Sequence, residues 1–285
     1  AHREITGYRE FHAALRFIFA SHMTIAFSKY QGTGNDFILL DNRQQTYSGL
    51  TQLEIAKYCD RRFGIGADGL MMLNLKEGYD FEMKYFNADG NPGSMCGNGG
   101  RCIVRFAYHL GIHRSSYHFL ASDGEHEAEI DDGTNIINLK MKDVPGIRES
   151  NGDYILNTGS PHFVKIVDDV MDYDVLKKGT EIRYSEEFAK EGINVNFVEQ
   201  EKSDAITVRT YERGVEDETF SCGTGVTASA LVCYHNEVGY NDVTVTTKGG
   251  KLVVKYDRHN DNSFTNIWLC GPAEKVFEGK TETAE

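Results

Sequence analysis

The sequence repeats itself at a spacing of 126 residues. Cys-Gly-Asn-Gly at 96–99 returns as Cys-Gly-Thr-Gly at 222–225, Phe37 in GTGNDFILLD returns as Phe163 in TGSPHFVKIVDD, and Gly124 in SDGEHEAEI returns as Gly250 in KGGKLVVKY. Three pairs at one spacing indicate a duplicated unit, so every motif has to be read as one of a pair. The expected division is an N-terminal extension over 1–22, a first domain over 23–140 completed by 272–285, and a second domain over 141–271. A length of 285 residues suits it, because single cores stop growing near that size. Within 1–22 the apolar stretch Ala13 to Ala20 is interrupted by Arg16 and is too short to span a bilayer, so it reads as an extension ahead of a start at Met23.

Both halves show the same order of elements. Phe37 to Asp41 and Phe163 to Val167 are rich in β-branched and aromatic residues, as strands are. Each Cys-Gly-x-Gly precedes an apolar helical stretch, Ile103 to Leu110 or Val226 to Val232, and Ala228, Ser229 and Ala230 leave room for close backbone approach. Alternating strands follow at His126 to Ile130 and Lys251 to Tyr256. The fold class expected is α+β: two pseudo-symmetric domains, each a mostly antiparallel or mixed, barrel-like β-sheet wrapped around a central helix.

Composition excludes several classes. A net charge of −13 repels phosphate backbones and anionic headgroups, which argues against nucleic acid and membrane surfaces as partners. No apolar run reaches the ~18 residues of a bilayer-spanning helix. The six cysteines, Cys59, Cys96, Cys102, Cys222, Cys233 and Cys270, match neither C-x-x-C metal spacing nor a disulfide-stapled domain, so a reducing cytoplasm is the expected location. No flavin, nicotinamide or metal motif is present, and no cofactor is expected.

A helix that starts after Cys-Gly-x-Gly presents unpaired amides and a partial positive charge to an anion. The amides around Gly97, Asn98 and Gly99, and around Gly223, Thr224 and Gly225, suit a carboxylate. The same field should depress a thiol from its usual ~8.5, making Cys96 and Cys222 candidate bases. Cys59, Cys102, Cys233 and Cys270 have no such pairing and read as core filler. Two equivalent acid/base groups on two facing domains suit inversion of a carbon centre, one thiolate removing a proton while the opposite thiol delivers one. A cysteine hydrolase using a histidine base would instead need one essential cysteine, and a binding relative would leave the α-hydrogen in place.

NADGNPGSMCGNGGRC and YERGVEDETFSCGTG together resemble the diaminopimelate epimerase family, as do KYQGTGNDF, RRFGIGADGL and GSPHFV, in the family's order and across the chain from Met23 onward. The resemblance implies a cofactor-independent two-base epimerase interconverting LL- and meso-diaminopimelate, on the route to lysine and peptidoglycan, with two similar domains closing over the substrate. It implies that Cys96 and Cys222 are the acid/base thiols and that Gly97-Asn98 and Gly223-Thr224 bind the reacting carboxylate. It further implies that Asn35, Asn87, Asn194, Glu212 and Arg213 recognise the distal amino acid group, that His162 lies near the reacting centre, and that the active form is a homodimer. Ser160 stands where much of the family has Asn, a hydroxyl of shorter reach, and Gly69 stands where some members carry Gln. A proline or hydroxyproline racemase shares the two-cysteine logic, but its cyclic substrate has no second head for Asn87, Asn194 and Arg213.

Overall fold

The computed structural model describes residues 24–93, 95–131 and 133–282; the expected extension over 1–22 lies outside the described residues. The first half contains β1 (Thr24–Gly32), β2 (Asn35–Asp41), α1 (Gln52–Cys59), β3 (Gly69–Asn74), β4 (Phe81–Asn87), α2 (Gly97–His109), β5 (Ser116–Ala121), β6 (Gly124–Asp131) and β7 (Ile136–Lys140). The second contains β8 (Arg148–Ser150), β9 (Asp153–Asn157), β10 (Pro161–Ile166), α3 (Val175–Arg183), β11 (Asn194–Lys202), β12 (Ala205–Glu212), β13 (Asp217–Thr219), α4 (Gly223–Val232), β14 (Gly239–Thr247), β15 (Gly250–Arg258) and β16 (Phe264–Pro272). A last strand, β17 (Glu274–Glu282), returns to pair antiparallel with β1.

Strand order makes the repeat physical. The first sheet runs β17, β1, β2, β3, β4, β5, β6, β7; the second runs β8, β9, β10, β11, β12, β14, β15, β16. The parallel pairs, β2 with β3 and β4 with β5, have counterparts in β10 with β11 and β12 with β14. Register is preserved where it sets the core: Phe37 lies opposite Gly69, and Phe163 lies opposite Val195. Ala121 pairs with Gly124 and Thr247 with Gly250 across two-residue hairpin turns, and both glycines hold positive φ, of 124° and 136°. That conformation is open to glycine and costly for other residues, which explains why this pair survives in both copies.

α2 packs against β1, β2, β6, β7 and β17, strands from both margins of the first sheet, so the sheet curls around it. α4 lies likewise against β9, β10, β11, β12, β14 and β15. Both helices start earlier than the apolar runs at Ile103 and Val226 suggest, because Cys96 and Cys222 are themselves the N-caps and the glycines after them form the first turn. β2 is buried on both faces: Phe37 and Leu39 join the main core, while Ile38 and Leu40 pack with Ile55 and Tyr58 of α1 outside the barrel. α3 covers the second sheet in the same way, with Val175 against Val195, Phe197 and Tyr211.

The halves are joined by antiparallel pairing of β7 with β16 and by contact of α2 with α4. No helix among the described residues is long and apolar enough to cross a membrane.

Candidate active site

The N-termini of α2 and α4 meet at the seam. A Cβ built on Gly223 would lie 3.2 Å from the Gly97 Cα, and one on Gly97 would lie 3.4 Å from the Gly223 Cα, so the two backbones touch with no space for side chains. Cys96 and Cys222 immediately precede these glycines, which brings one capping sulfur from each half to the same place. Cys222 is buried, Cys96 is half-buried, and neither forms a disulfide.

Burial changes the electrostatics expected from helix ends alone. Desolvation pushes the Cys96 thiol up, and Glu212 adds to this, while the Gly99 and Asn98 amides and the Arg101 guanidinium pull down. Cys222 is likewise raised by burial and by Glu212, against the Thr224 hydroxyl and the Gly225 amide. The depression expected from a helix N-terminus is therefore overturned, because the stabilisation offered by the partial charge of a helix end is smaller than the cost of desolvating a thiolate. Burial also holds the Glu212 carboxyl above the usual range, although Thr219 donates to it at 2.8 Å.

Around Cys96, the Asn35 Oδ1 lies 3.5 Å from Sγ, and the Asn35 Nδ2 donates to Asp68. Asp68 and Asp36 are clamped by Arg61 at 2.6 Å each, and Lys29 also pairs with Asp36 at 2.7 Å. These cations hold the Asp36 carboxyl down to about 2 despite its burial. The Asn98 side chain donates to the Ser221 carbonyl at 2.9 Å and accepts from Arg101 at 3.0 Å, so it fastens α2 to the residue before Cys222.

Around Cys222, the Thr224 Oγ1 lies 3.5 Å from Sγ and 3.2 Å from the Ser160 Oγ. Ser160 meets the His162 Nε2 at 3.0 Å and the Asn194 Nδ2 at 3.2 Å. His162 is fully buried, and desolvation, aided by the Arg213 charge, lowers it from 6.5 to about 3, so the ring is neutral. Asn194 also donates to the Pro161 carbonyl at 3.0 Å and accepts from the Arg213 backbone at 2.9 Å.

The structure thus gathers Asn35, Cys96, Gly97, Asn98, Ser160, His162, Asn194, Glu212, Cys222, Gly223 and Thr224. Asn35 and Glu212, matched to a distal recognition role, lie next to the sulfurs, and the Asn98 and Asn194 amides are committed to protein partners. Asn87 and Arg213 are exposed at the ends of β4 and β12, at equivalent places in the repeat.

Sequence reasoning missed several supports. Arg101 is fully buried and donates to Gly97 O at 3.2 Å, Thr33 Oγ1 at 3.3 Å and Pro272 O at 3.4 Å, a cation beneath the start of α2. Its position within GNGGRC was the available signal. Asn196 donates to the His162 Nδ1 at 3.1 Å. The Tyr85 ring fills the space over Gly69, where a Cβ would lie 2.5 Å from it, so a larger residue at 69 is excluded by packing.

The family model for diaminopimelate epimerase matches residues 27–144 and 154–276. A diaminopimelate epimerase of Flavobacterium psychrophilum is 49% identical over 251 residues, covering 88% of this chain and 97% of the relative. One of Chlorobaculum tepidum is 43% identical over 257 residues, covering 87% and 98%. Among solved structures, a phenazine biosynthesis protein of the PhzF family from Bacillus anthracis matches with a TM-score of 0.69 at 14% identity over 91% of this chain and 99% of its own. A hydroxyproline epimerase from Agrobacterium vitis matches with a TM-score of 0.64 at 11% identity, covering 92% and 93%. The two structures share the fold alone, whereas the family model and the full-length relatives decide membership: the chain belongs to the diaminopimelate epimerase family.

Proposed function

We propose that this chain is a cofactor-independent epimerase interconverting LL- and meso-diaminopimelate, with Cys96 and Cys222 as its paired acid and base. The observation that carries the reading is the meeting of two N-capping cysteines, one from each half, where Gly97 and Gly223 touch backbone to backbone. A stereocentre held between two sulfurs loses its proton to the thiolate on one face and gains a proton from the thiol on the other. The electron pair left on the α-carbon is delocalised into the α-carboxylate. Amides at the two helix N-termini stabilise the charge that develops there, and exclusion of water strengthens them.

At the other end of the substrate, Arg213 supplies a planar fork for the second carboxylate, and Asn87 supplies an acceptor for the second ammonium. Full-length relatives that carry the name diaminopimelate epimerase support this substrate. The hydroxyproline epimerase supports no substrate for this chain, since its likeness is at 11% identity.

The test is parallel incubation of purified chain with LL-diaminopimelate and with L-proline, followed by chiral chromatography. Meso-diaminopimelate should appear while proline stays unchanged. Racemised proline with intact LL-diaminopimelate would move the chain to the rival class.

A further inference from the structure

Tyr85 and Asn87 alternate onto one face of β4, the face that packs with the main core around α2. The Tyr85 ring is held in place by what its neighbours lack. A Cβ on Gly69 would lie 2.5 Å from its Cε2 and 2.8 Å from its hydroxyl, and a Cβ on Gly93 would lie 2.6 Å from its Cδ1 and Cε1. Opposite edges of one ring therefore rest on two bare backbones, and Phe37 meets the ring edge-to-face at a centroid distance of 6.1 Å. The Gly93 amide donates to the Tyr85 carbonyl at 2.9 Å, which fastens the loop before Cys96 to the same strand.

Packing would be served as well by phenylalanine, so the hydroxyl needs its own explanation. It makes no hydrogen bond to any described residue, whereas the fully buried Tyr30, Tyr117, Tyr211 and Tyr256 each place theirs on a protein partner.

The neighbours of that hydroxyl show what it faces. Asp68 directly precedes Gly69, and its oxygens are taken by Arg61, by the Asp36 amide and by the Asn35 Nδ2. Asn35 Oδ1 is left with only long contacts, at 3.5 Å, to Cys96 and Asn98. One oxygen of Glu212 accepts from Thr219, and the other has no partner among the described residues. Burial first, then charges that include Cys96, Asp68 and Glu212, raise the Tyr85 phenol above the usual tyrosine range. The phenol keeps its proton, and its oxygen is a neutral acceptor. Three open acceptors thus gather beside Cys96.

A carbon held between the two sulfurs has its carboxylate on the helix amides, which leaves its ammonium to face these acceptors. A primary ammonium has three N–H groups to place, and a cyclic secondary one has two. We propose that Tyr85 is a specificity-determining residue whose hydroxyl receives the third N–H of the primary ammonium on the reacting carbon, beside Asn35 and Glu212. The proposal rests on the two-thiol reading of this site and deepens it, since it explains a preference for a primary over a cyclic amino acid.

The experiment is Tyr85→Phe in the full chain, which keeps the ring between the two glycines and removes one oxygen. Conversion of LL-diaminopimelate is measured as kcat and KM separately, with a thermal melt alongside. KM should rise about tenfold, the scale of one hydrogen bond to a charged group, with kcat within about twofold and Tm unchanged. Adding an equilibrium mixture of LL- and meso-diaminopimelate to the parent chain should give a near-ultraviolet difference spectrum with a tyrosine band that Tyr85→Phe lacks. An unchanged KM, a loss confined to kcat, a Tm lowered in step with the loss, or identical difference spectra each overturn the inference. A parent chain that leaves diaminopimelate unchanged overturns the functional reading; an active parent beside an equally active Tyr85→Phe overturns this inference alone.

Discussion

On the proposed two-thiol mechanism each sulfur at the seam has one job at a time, and this gives the sharpest expectation at the level of single side chains. Cys96→Ala and Cys222→Ala should each lower epimerisation by about 10²- to 10⁴-fold, the usual span for a lost general acid or base, as measured by conversion of LL- to meso-diaminopimelate. A single variant that retains full activity would leave one sulfur without a role. His162 makes a second expectation, about pH. It is neutral in the folded chain down to about pH 3 and takes up a proton near 6.5 when unfolded. Between those values the unfolded state binds more protons, so stability falls as pH drops from about 6.5 toward about 3, by at most about 5 kcal/mol. Urea midpoints across this window should slope less in His162→Gln than in the parent chain. The paired cysteines and His162 were legible in the sequence because they sit in motifs. Asn196 and Arg101 were not, because their importance comes from what burial places against them: a neutral imidazole for Asn196, and for Arg101 the carbonyls of Gly97 at a helix start and Pro272 at a strand end.

The helices α2 and α4 approach each other through what their first residues lack, and in the proposed mechanism this approach positions the thiols. Gly223→Ala puts a methyl group 3.0 Å from Leu269 Cδ2 and 3.2 Å from the Gly97 Cα, so the two helix ends have to separate. Alanine gains about 1 kcal/mol of helix propensity and overpacking costs about 1–3 kcal/mol, so the chain should stay folded. A shift of the helix ends by a few tenths of an ångström carries the thiols with it and should nevertheless lower turnover by about tenfold, part of the about 10²-fold that a full 1 Å misplacement costs. Parallel thermal melts and initial rates check this: a small change in Tm with a large loss of rate is expected, and unchanged rate would show that the contact has no bearing on catalysis. Glycine-flanked cysteines announced a close approach in the sequence, but not what approaches. The apolar runs placed the helices too far along the chain, since a turn of glycine and Asn98 carries no hydrophobic signal and forms only because the opposite backbone packs on it.

At the scale of the molecule, duplication accounts for most of the architecture. A single spacing predicted two sheets with matching order, and the parallel pairs fall at corresponding strands in both. The joining of the sheets by β7 and β16 was hidden, because it depends on a pairing between copies rather than within one. We propose that residues 272–285 complete the first domain, on the strength of the β17 pairing with β1 and the edge-to-face contact of Phe27 with Phe277. Deleting 274–282 would leave β1 as an open edge. Such a chain should melt at lower temperature and scatter more light on heating, and an unaltered melt would assign the segment elsewhere.

In the proposed mechanism two sulfurs, one from each copy, work on opposite faces of one carbon. Incubation with LL-diaminopimelate in heavy water, with α-deuterium and stereoisomer followed together by mass spectrometry and chiral chromatography, tests it most directly. Meso product should form carrying deuterium at the inverted centre, since the incoming proton comes from a thiol that exchanges with solvent. Meso product that keeps the original α-hydrogen, or deuterium gained with no inversion at all, would contradict it.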